Sequence, residues 1–201
     1  MKITIICSSQ RRKSQTLKVG QYFAEQVPLA GFQEADIYDL VDLNIPMWDG
    51  NDKEKKKCND WNTIRQSVYN SDALITLTPE WSGTASPLLK NFLMMLEPAE
   101  ASDKPILFVS VVRGISGAYP IAELRMNSLK NNRMIAIPDH LIIRNVEDVL
   151  NEAVSINNND QNVREKIYSS LLVLNLYSHA LHSVRRKILK KPLENRPKYG
   201  M

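Results

Sequence analysis

The sequence predicts a doubly wound α/β fold built on a parallel sheet. Three observations lead there. Short β-rich runs alternate with longer stretches of helical spacing, the fourth of those runs is apolar almost throughout, and no repeat or linker breaks the alternation. Strands separated by helices of this length pair in parallel, and a strand covered on both faces reads as a continuous apolar run. The chain has 201 residues, 43% apolar and 24% charged, which is one domain's length with enough apolar side chains for a sizeable core.

The elements follow in order. KITIIC is a strand, too short and too β-rich to be a helix. SQTLKVGQYFAEQVPLAG changes to helical spacing, with Leu17, Gly20, Ala24 and Val27 on one face, Phe23 beside it and Gly31 where helices commonly stop. EADIYDL reads as the second strand, LNIPMWDGND as a loop, and KEKKKCNDWNTIRQSVYNS as one solvated, charged helix. ALITLT is the third strand, stopped by Pro79, and SPLLKNFLMML is a helix burying Leu89, Phe92, Leu93 and Leu96. KPILFVSVV is the fourth strand and GISGAY a loop. PIAELRMNSLKNN is a helix with Pro120 near its first turn, and RMIAIP is a short fifth strand. The polar spacer NNNDQN precedes a long helix from about Val163 into a basic tail. Residues 1–190 read as a single domain and 191–201 as the tail.

Five such units suit the flavodoxin-like three-layer arrangement, a five-stranded parallel sheet of order 2-1-3-4-5 with helices on both faces. Its ligand sits where the order reverses, beyond strands one and three. Three loops should converge there: SSQRRKS, PEWSGTAS and RGISG.

Charge and cysteine usage exclude several function classes. The net charge is +4, but residues 185–201 hold seven basic residues and one acid, which leaves 19 basic against 21 acidic residues in the body. A nucleic-acid protein is basic across a face of its folded body, and this one is not. Two cysteines, Cys7 and Cys58, fit a reducing compartment and give no metal-ligand spacing. The opening apolar run is too short for a signal peptide, and IYSSLLVLNLYSHALHSV is too polar to span a membrane. A cytoplasmic protein without membrane insertion is expected.

The loops carry the chemistry. SSQRRKSQT runs from a strand into a helix start, where unpaired backbone N–H groups favour an anion. Ser8, Ser9, Ser14 and Thr16 add hydroxyls, and Arg11 can bind two phosphate oxygens at once. A capped helix with exposed basic residues would read the same way. The GxxxxGK[ST] and GxGxxG phosphate loops are absent. TPEWSGTASPLLKN places Pro79, Glu80, Trp81 and Ser82 between strand three and the next helix. Such a turn serves a flat aromatic ligand, or simply holds a buried tryptophan. VVRGISGAY carries Gly114 and Gly117, which allow close approach or positive φ.

Together these segments resemble the NADPH-dependent FMN reductases. The resemblance lies in Ser9-x-Arg11-x-x-Ser14-x-Thr16, in Thr78-Pro79-Glu80-Trp81-Ser82, in Leu89-Lys90-Asn91 and in the Ser110…Gly114…Gly117 loop, over residues 2–137. It implies FMN as cofactor, with Ser9, Arg11, Ser14, Gln15 and Thr16 at the phosphate. The Pro79–Ser82 turn would flank the isoalloxazine ring, and the loop of Ser110, Arg113, Gly114 and Gly117 would meet its far edge. Three departures stand out: Ser8 where the family has Gly, Trp81 for Tyr and Ser82 for Asn.

The resemblance further implies NADPH or NADH as co-substrate and a small acceptor such as a quinone, an azo compound or free flavin. The flavin does the redox chemistry in such enzymes, and no side chain is assigned as acid or base. The rival readings are a non-catalytic electron carrier or regulator on the same fold, and a nucleic-acid or partner-binding protein acting through its basic tail. His179 and His182 lack a third ligand and read as ordinary helix residues, Cys7 as core, and KEKKK as a solvated helix start. The last helix is apolar on more than one face, at Ile167, Leu171, Leu172, Leu174, Leu176, Tyr177, Leu181 and Val184. A homodimer or homotetramer is therefore expected.

Overall fold

Five strands pair in parallel in the order β2-β1-β3-β4-β5, as the alternation predicts, in a computed structural model that describes residues 1–190. The strands are β1 (Lys2–Cys7), β2 (Glu34–Asp39), β3 (Ala73–Pro79), β4 (Pro105–Val111) and β5 (Ile135–Ile143). The helices are α1 (Gln15–Gln26), α2 (Asp52–Lys57), α3 (Asn59–Asn70), α4 (Pro87–Met95), α5 (Pro98–Ala101), α6 (Ala118–Asn127) and α7 (Asn158–Lys190). The basic tail expected at 191–201 lies outside the described residues.

Period-two alternation divides the strand side chains between two cores. Ile3, Ile5, Cys7, Ile75, Leu77, Leu107 and Val109 pack against α1 and α7 through Val19, Phe23, Ile167, Leu171 and Leu174. Ile6, Leu74, Ile106 and Phe108 pack on the other side against α3, α4 and α6 through Trp61, Ile64, Phe92 and Leu124. The two central strands that carry the site, β3 and β4, are buried at every residue. Helix α1 lies so close to β1 that a Cβ on Gly20 would stand 2.3 Å from the Cys7 sulfur. Cys7 is fully buried, and burial pushes its thiol up, so it belongs to the core rather than to reactive chemistry.

Several boundaries differ from the sequence reading. Helix α1 ends at Gln26, not Gly31, because Pro28 cannot continue it, and Gly31 instead takes φ +87° in the turn that follows. The single charged helix is two, broken at Cys58, whose sulfur accepts from Trp61 N–H at 3.4 Å and caps α3. Nor is KEKKK wholly solvated: Lys55 is buried, bonded to Asp52 (3.0 Å) and Glu97 (2.9 Å), with its ammonium over the Trp48 ring. Strand β5 runs to Ile143, well past Pro138; as an edge strand it tolerates a proline. Helix α7 starts inside the polar spacer, at Asn158, where Asp160 accepts from the N–H groups of Leu150 and Ile156. Its apolar residues do divide as expected: Ile167, Leu171 and Leu174 are buried while Leu172, Leu176 and Val184 are exposed.

Asp39, at the end of β2 beside Cys7, has both carboxylate oxygens buried without a full hydrogen-bond partner. Its carboxyl is pushed up to about 6, first by burial and then by Asp42, with the Val41 N–H working the other way. An unfolded aspartate titrates near ~4, so the folded chain holds this proton more tightly. Ionising Asp39 therefore subtracts stability as pH rises from about 4 to about 6, and the loss is complete at neutral pH. Asp39→Asn should melt at a higher temperature than the parent near pH 7.5 and at the same temperature near pH 4. A gain of equal size at both pH values would assign the effect to packing instead of ionisation.

Candidate functional site

The register of the sheet brings the three loops level. Cys7 pairs with Leu77, Thr78 with Ser110 and Pro79 with Val111, so β1, β3 and β4 end side by side. Buried hydroxyls staple the first two loops together. Ser8 donates to the Leu77 carbonyl from both its N–H (3.0 Å) and its Oγ (2.7 Å). Ser86 donates its hydroxyl to the Ser8 carbonyl, and its N–H donates to Thr78 Oγ1 at 2.9 Å. Ser86 also caps α4 by accepting from Leu89 N–H, ahead of Pro87 at the first helical position.

In the first loop Ser9 is buried and its Oγ accepts from Arg11 N–H at 3.2 Å. Lys13 takes φ +51°, and Ser14 then caps α1 by accepting from Leu17 N–H at 3.1 Å. The first turn of α1 contains no acidic residue. Gln15 is exposed and Thr16 buried, and their N–H groups head the helix with no acceptor among the described residues. Unpaired N–H groups at a helix start favour an anion. Of the two arginines, Arg12 turns to Asp42 at 3.5 Å. Arg11 reaches toward the second loop, its guanidinium carbon 5.1 Å from the centre of the Trp81 ring.

The second loop is a tight turn. Trp81 and Thr84 exchange N–H···O bonds of 3.3 and 3.1 Å, while Ser82 and Gly83 take φ of +52° and +70°. Positive φ at both central residues is the requirement of a type I′ turn, which asparagine and glycine meet most readily. Glu80 points away from solvent and accepts from Gly117 N–H, tying the second loop to the third. Glu123 of α6, which sequence reasoning missed, grips the turn from outside. It accepts from Ala85 N–H (2.8 Å) and Thr84 Oγ1 (2.9 Å) and pairs with Lys90 at 2.5 Å. Burial works against its charge, yet Lys90, Ala85 and Thr84 together hold its carboxyl below the usual range. Glu123 lies about 40 residues from its partners in sequence, and no local pattern announces it.

In the third loop Gly117 begins α6 at φ +105°, where a Cβ would meet Ile142 at 2.3 Å. Glycine is required there by the chain itself. Gly114 has open space around it and meets no such requirement within the protein. Arg113 is exposed and pairs with Glu147 at 2.9 Å, which turns it outward. Arg144, also unforeseen, donates to the carbonyls of Ile115 (2.6 Å) and Ser116 (3.0 Å) and fixes the loop. Ser110 is fully buried, and its Oγ has no hydrogen-bond partner. Among the described residues no cluster of three metal-ligating side chains occurs, and His182 pairs with Asp72 at 3.3 Å. No helix among them is long and apolar enough to cross a membrane.

A parallel sheet of this order, with three loops gathered where the order reverses, is the flavodoxin-like arrangement. The family model for NADPH-dependent FMN reductase matches residues 1–148, and the chain belongs to that family. Its cofactor is FMN and its donor class NAD(P)H. A relative, the NADPH azoreductase of Bacillus sp. strain OY1-2, is 26% identical over 143 residues, 71% of this chain and 76% of that protein. The FMN-dependent NADPH-azoreductase of Staphylococcus aureus is 25% identical over 181 residues, covering 86% and 94% of the two chains. The fold matches that of an oxidoreductase from Corynebacterium diphtheriae with a TM-score of 0.71 at 14% identity, over 89% of this chain and 97% of that one.

Removing Glu123 leaves a backbone N–H, a hydroxyl and an ammonium without their shared acceptor. Glu123→Ala should cost roughly 1–3 kcal/mol in urea unfolding, and Glu123→Gln, which keeps the acceptor oxygen, less than half of that. Equal losses for the two variants would mean that charge alone matters.

Proposed function

We propose that the chain is an FMN-dependent reductase that carries electrons from NADPH to a small azo or quinone acceptor, with its cofactor held by the three loops. The observation that carries this reading is the first loop: a capped helix start with free N–H groups at Gln15 and Thr16, hydroxyls at Ser9, Ser14 and Thr16, and no acid in the first turn. These groups suit a terminal phosphate, with Arg11 as a charged donor beside them. The backbone of the Pro79–Ser82 turn would edge the isoalloxazine ring. Gly114 leaves room for a flat group on the far side, while Ser110 is fully buried beneath Gly117 and supports the loop from within. Arg113 contributes at most at the rim, since it turns toward Glu147.

Bound FMN supplies the redox chemistry; the chain's part is to hold, orient and limit access. The hydroxyl staple of Ser8, Thr78 and Ser86 sets the separation of phosphate and ring sites, and Glu80 fixes the third loop against the second. Free Cys7 and Cys58 suit a reducing, cytoplasmic setting. The two azoreductase relatives favour an azo acceptor.

Purified protein should show a flavin absorption band and should oxidise NADPH with a quinone or azo dye. Donor and acceptor share one open face and should bind in turn, giving parallel double-reciprocal lines. Intersecting lines would overturn alternating binding. A colourless protein that cannot be loaded with FMN would favour a cofactor-free regulator.

The same reading includes a homodimer. Tyr168, Leu172 and Leu176 are exposed at successive turns of α7, and Leu176 is 68% exposed, an apolar stripe that a second copy would cover. Sedimentation equilibrium at micromolar protein should give twice the chain mass, and Leu172→Glu with Leu176→Glu should halve it. A parent protein that sediments as a monomer would remove the dimer.

A further inference from the structure

We propose that Trp81 is a positioning residue for the phosphate end of FMN, acting through Arg11, even though it sits on the turn assigned to the ring. The proposal rests on the FMN reading above. Arg11 has no carboxylate partner among the described residues, in contrast to Arg12, which pairs with Asp42. Its guanidinium instead lies over the Trp81 indole, 5.1 Å from the ring centre. A guanidinium seated over an aromatic face keeps N–H donors available at its edge. Arg11 seated in this way would present that fork to an anion at the head of α1.

The turn that carries the indole is braced: the Trp81 backbone makes two bonds to Thr84, and Thr84 is held by Glu123. Arg11 is fixed at its base by the bond from its N–H to Ser9. With the backbone braced on both sides of the pair, contact with the indole would limit the rotamers of a long, exposed side chain, and less entropy would be lost when an anion binds. The indole is also the strongest cation–π partner among the aromatic side chains, which gives the replacement of the family's Tyr a physical role. Arg11 occupies one face of the indole.

The consequence is that phosphate affinity responds to a residue in the ring turn. The test is to titrate flavin-free protein with FMN and with riboflavin, which lacks the phosphate, for the parent, Arg11→Ala, Arg11→Lys, Trp81→Leu, Trp81→Phe and the Arg11→Ala/Trp81→Leu double variant. Arg11→Ala should weaken FMN by about 10- to 150-fold. Trp81→Leu should weaken FMN by about 2- to 30-fold and leave riboflavin within about twofold of the parent. Arg11→Lys keeps the charge but not the flat fork and should lose FMN as Trp81→Leu does. Trp81→Phe should retain most of the affinity, and the double variant should be no worse than Arg11→Ala alone. Thermal unfolding of the flavin-free variants checks that each is folded; if Trp81→Leu is not, Trp81→Phe and Arg11→Lys carry the test. Equal loss of FMN and riboflavin in Trp81→Leu would place the indole directly against the ring and overturn the proposal. Additive losses in the double variant would overturn it as well. A parent protein that binds neither flavin would overturn the cofactor reading, and this proposal with it.

Discussion

The site exists because the chain leaves the sheet in opposite directions after β1 and β3. Helix α1 packs on the face that holds Val19 and Phe23, and α4 packs on the other face through Leu89 and Phe92. The two strands are nevertheless neighbours, with Cys7 level with Leu77. Loops that start side by side and diverge must leave a crevice between them. Everything else at the site is a way of fixing how wide that crevice is. At its floor the Ser86 hydroxyl reaches the Ser8 carbonyl, and above it Arg11 reaches Trp81.

What could be read from the sequence follows from which interactions are local. The five strands, their parallel pairing and the loop positions all come from short-range periodicity and turn residues, and the sheet has the expected order. The Ser14 and Ser86 caps are likewise local, each a serine accepting from the N–H three residues on. Errors fell where a tertiary contact overrode a local pattern. Lys55 sits in a run of lysines that looks solvated, and it turns inward to Glu97, distant in sequence, with its ammonium over Trp48. The break at Cys58 is set by a sulfur cap that composition does not reveal.

The candidate site divides the same way. The hydroxyls of Ser9, Ser14 and Thr16 can be picked out from the sequence because they stand in one continuous stretch, the one proposed to hold the phosphate. Glu80 and Arg113 were legible as loop residues, but their partners were not: Glu80 is turned to Gly117 and Arg113 to Glu147. Glu123 and Arg144 were invisible, since each acts from a different element on a loop about 30 to 40 residues away. A sequence shows which loops are chemically equipped. It does not show which side chains brace them, because bracing depends on register and packing across the sheet.

The three departures from the family pattern become consistent once the contacts are known. Ser8 adds a hydroxyl where the family has none, and that hydroxyl turns to the Leu77 carbonyl, behind the loop. Ser82 stands at φ +52°, where its role is to adopt a turn conformation that asparagine adopts more readily. Trp81 takes the place of a smaller aromatic residue and receives a guanidinium on its face. None of the three changes removes a backbone donor from the crevice, and none adds a carboxylate to it. A crevice whose donors are backbone N–H groups tolerates changed side chains at these positions, provided that the turn, the staple and the helix start keep their geometry.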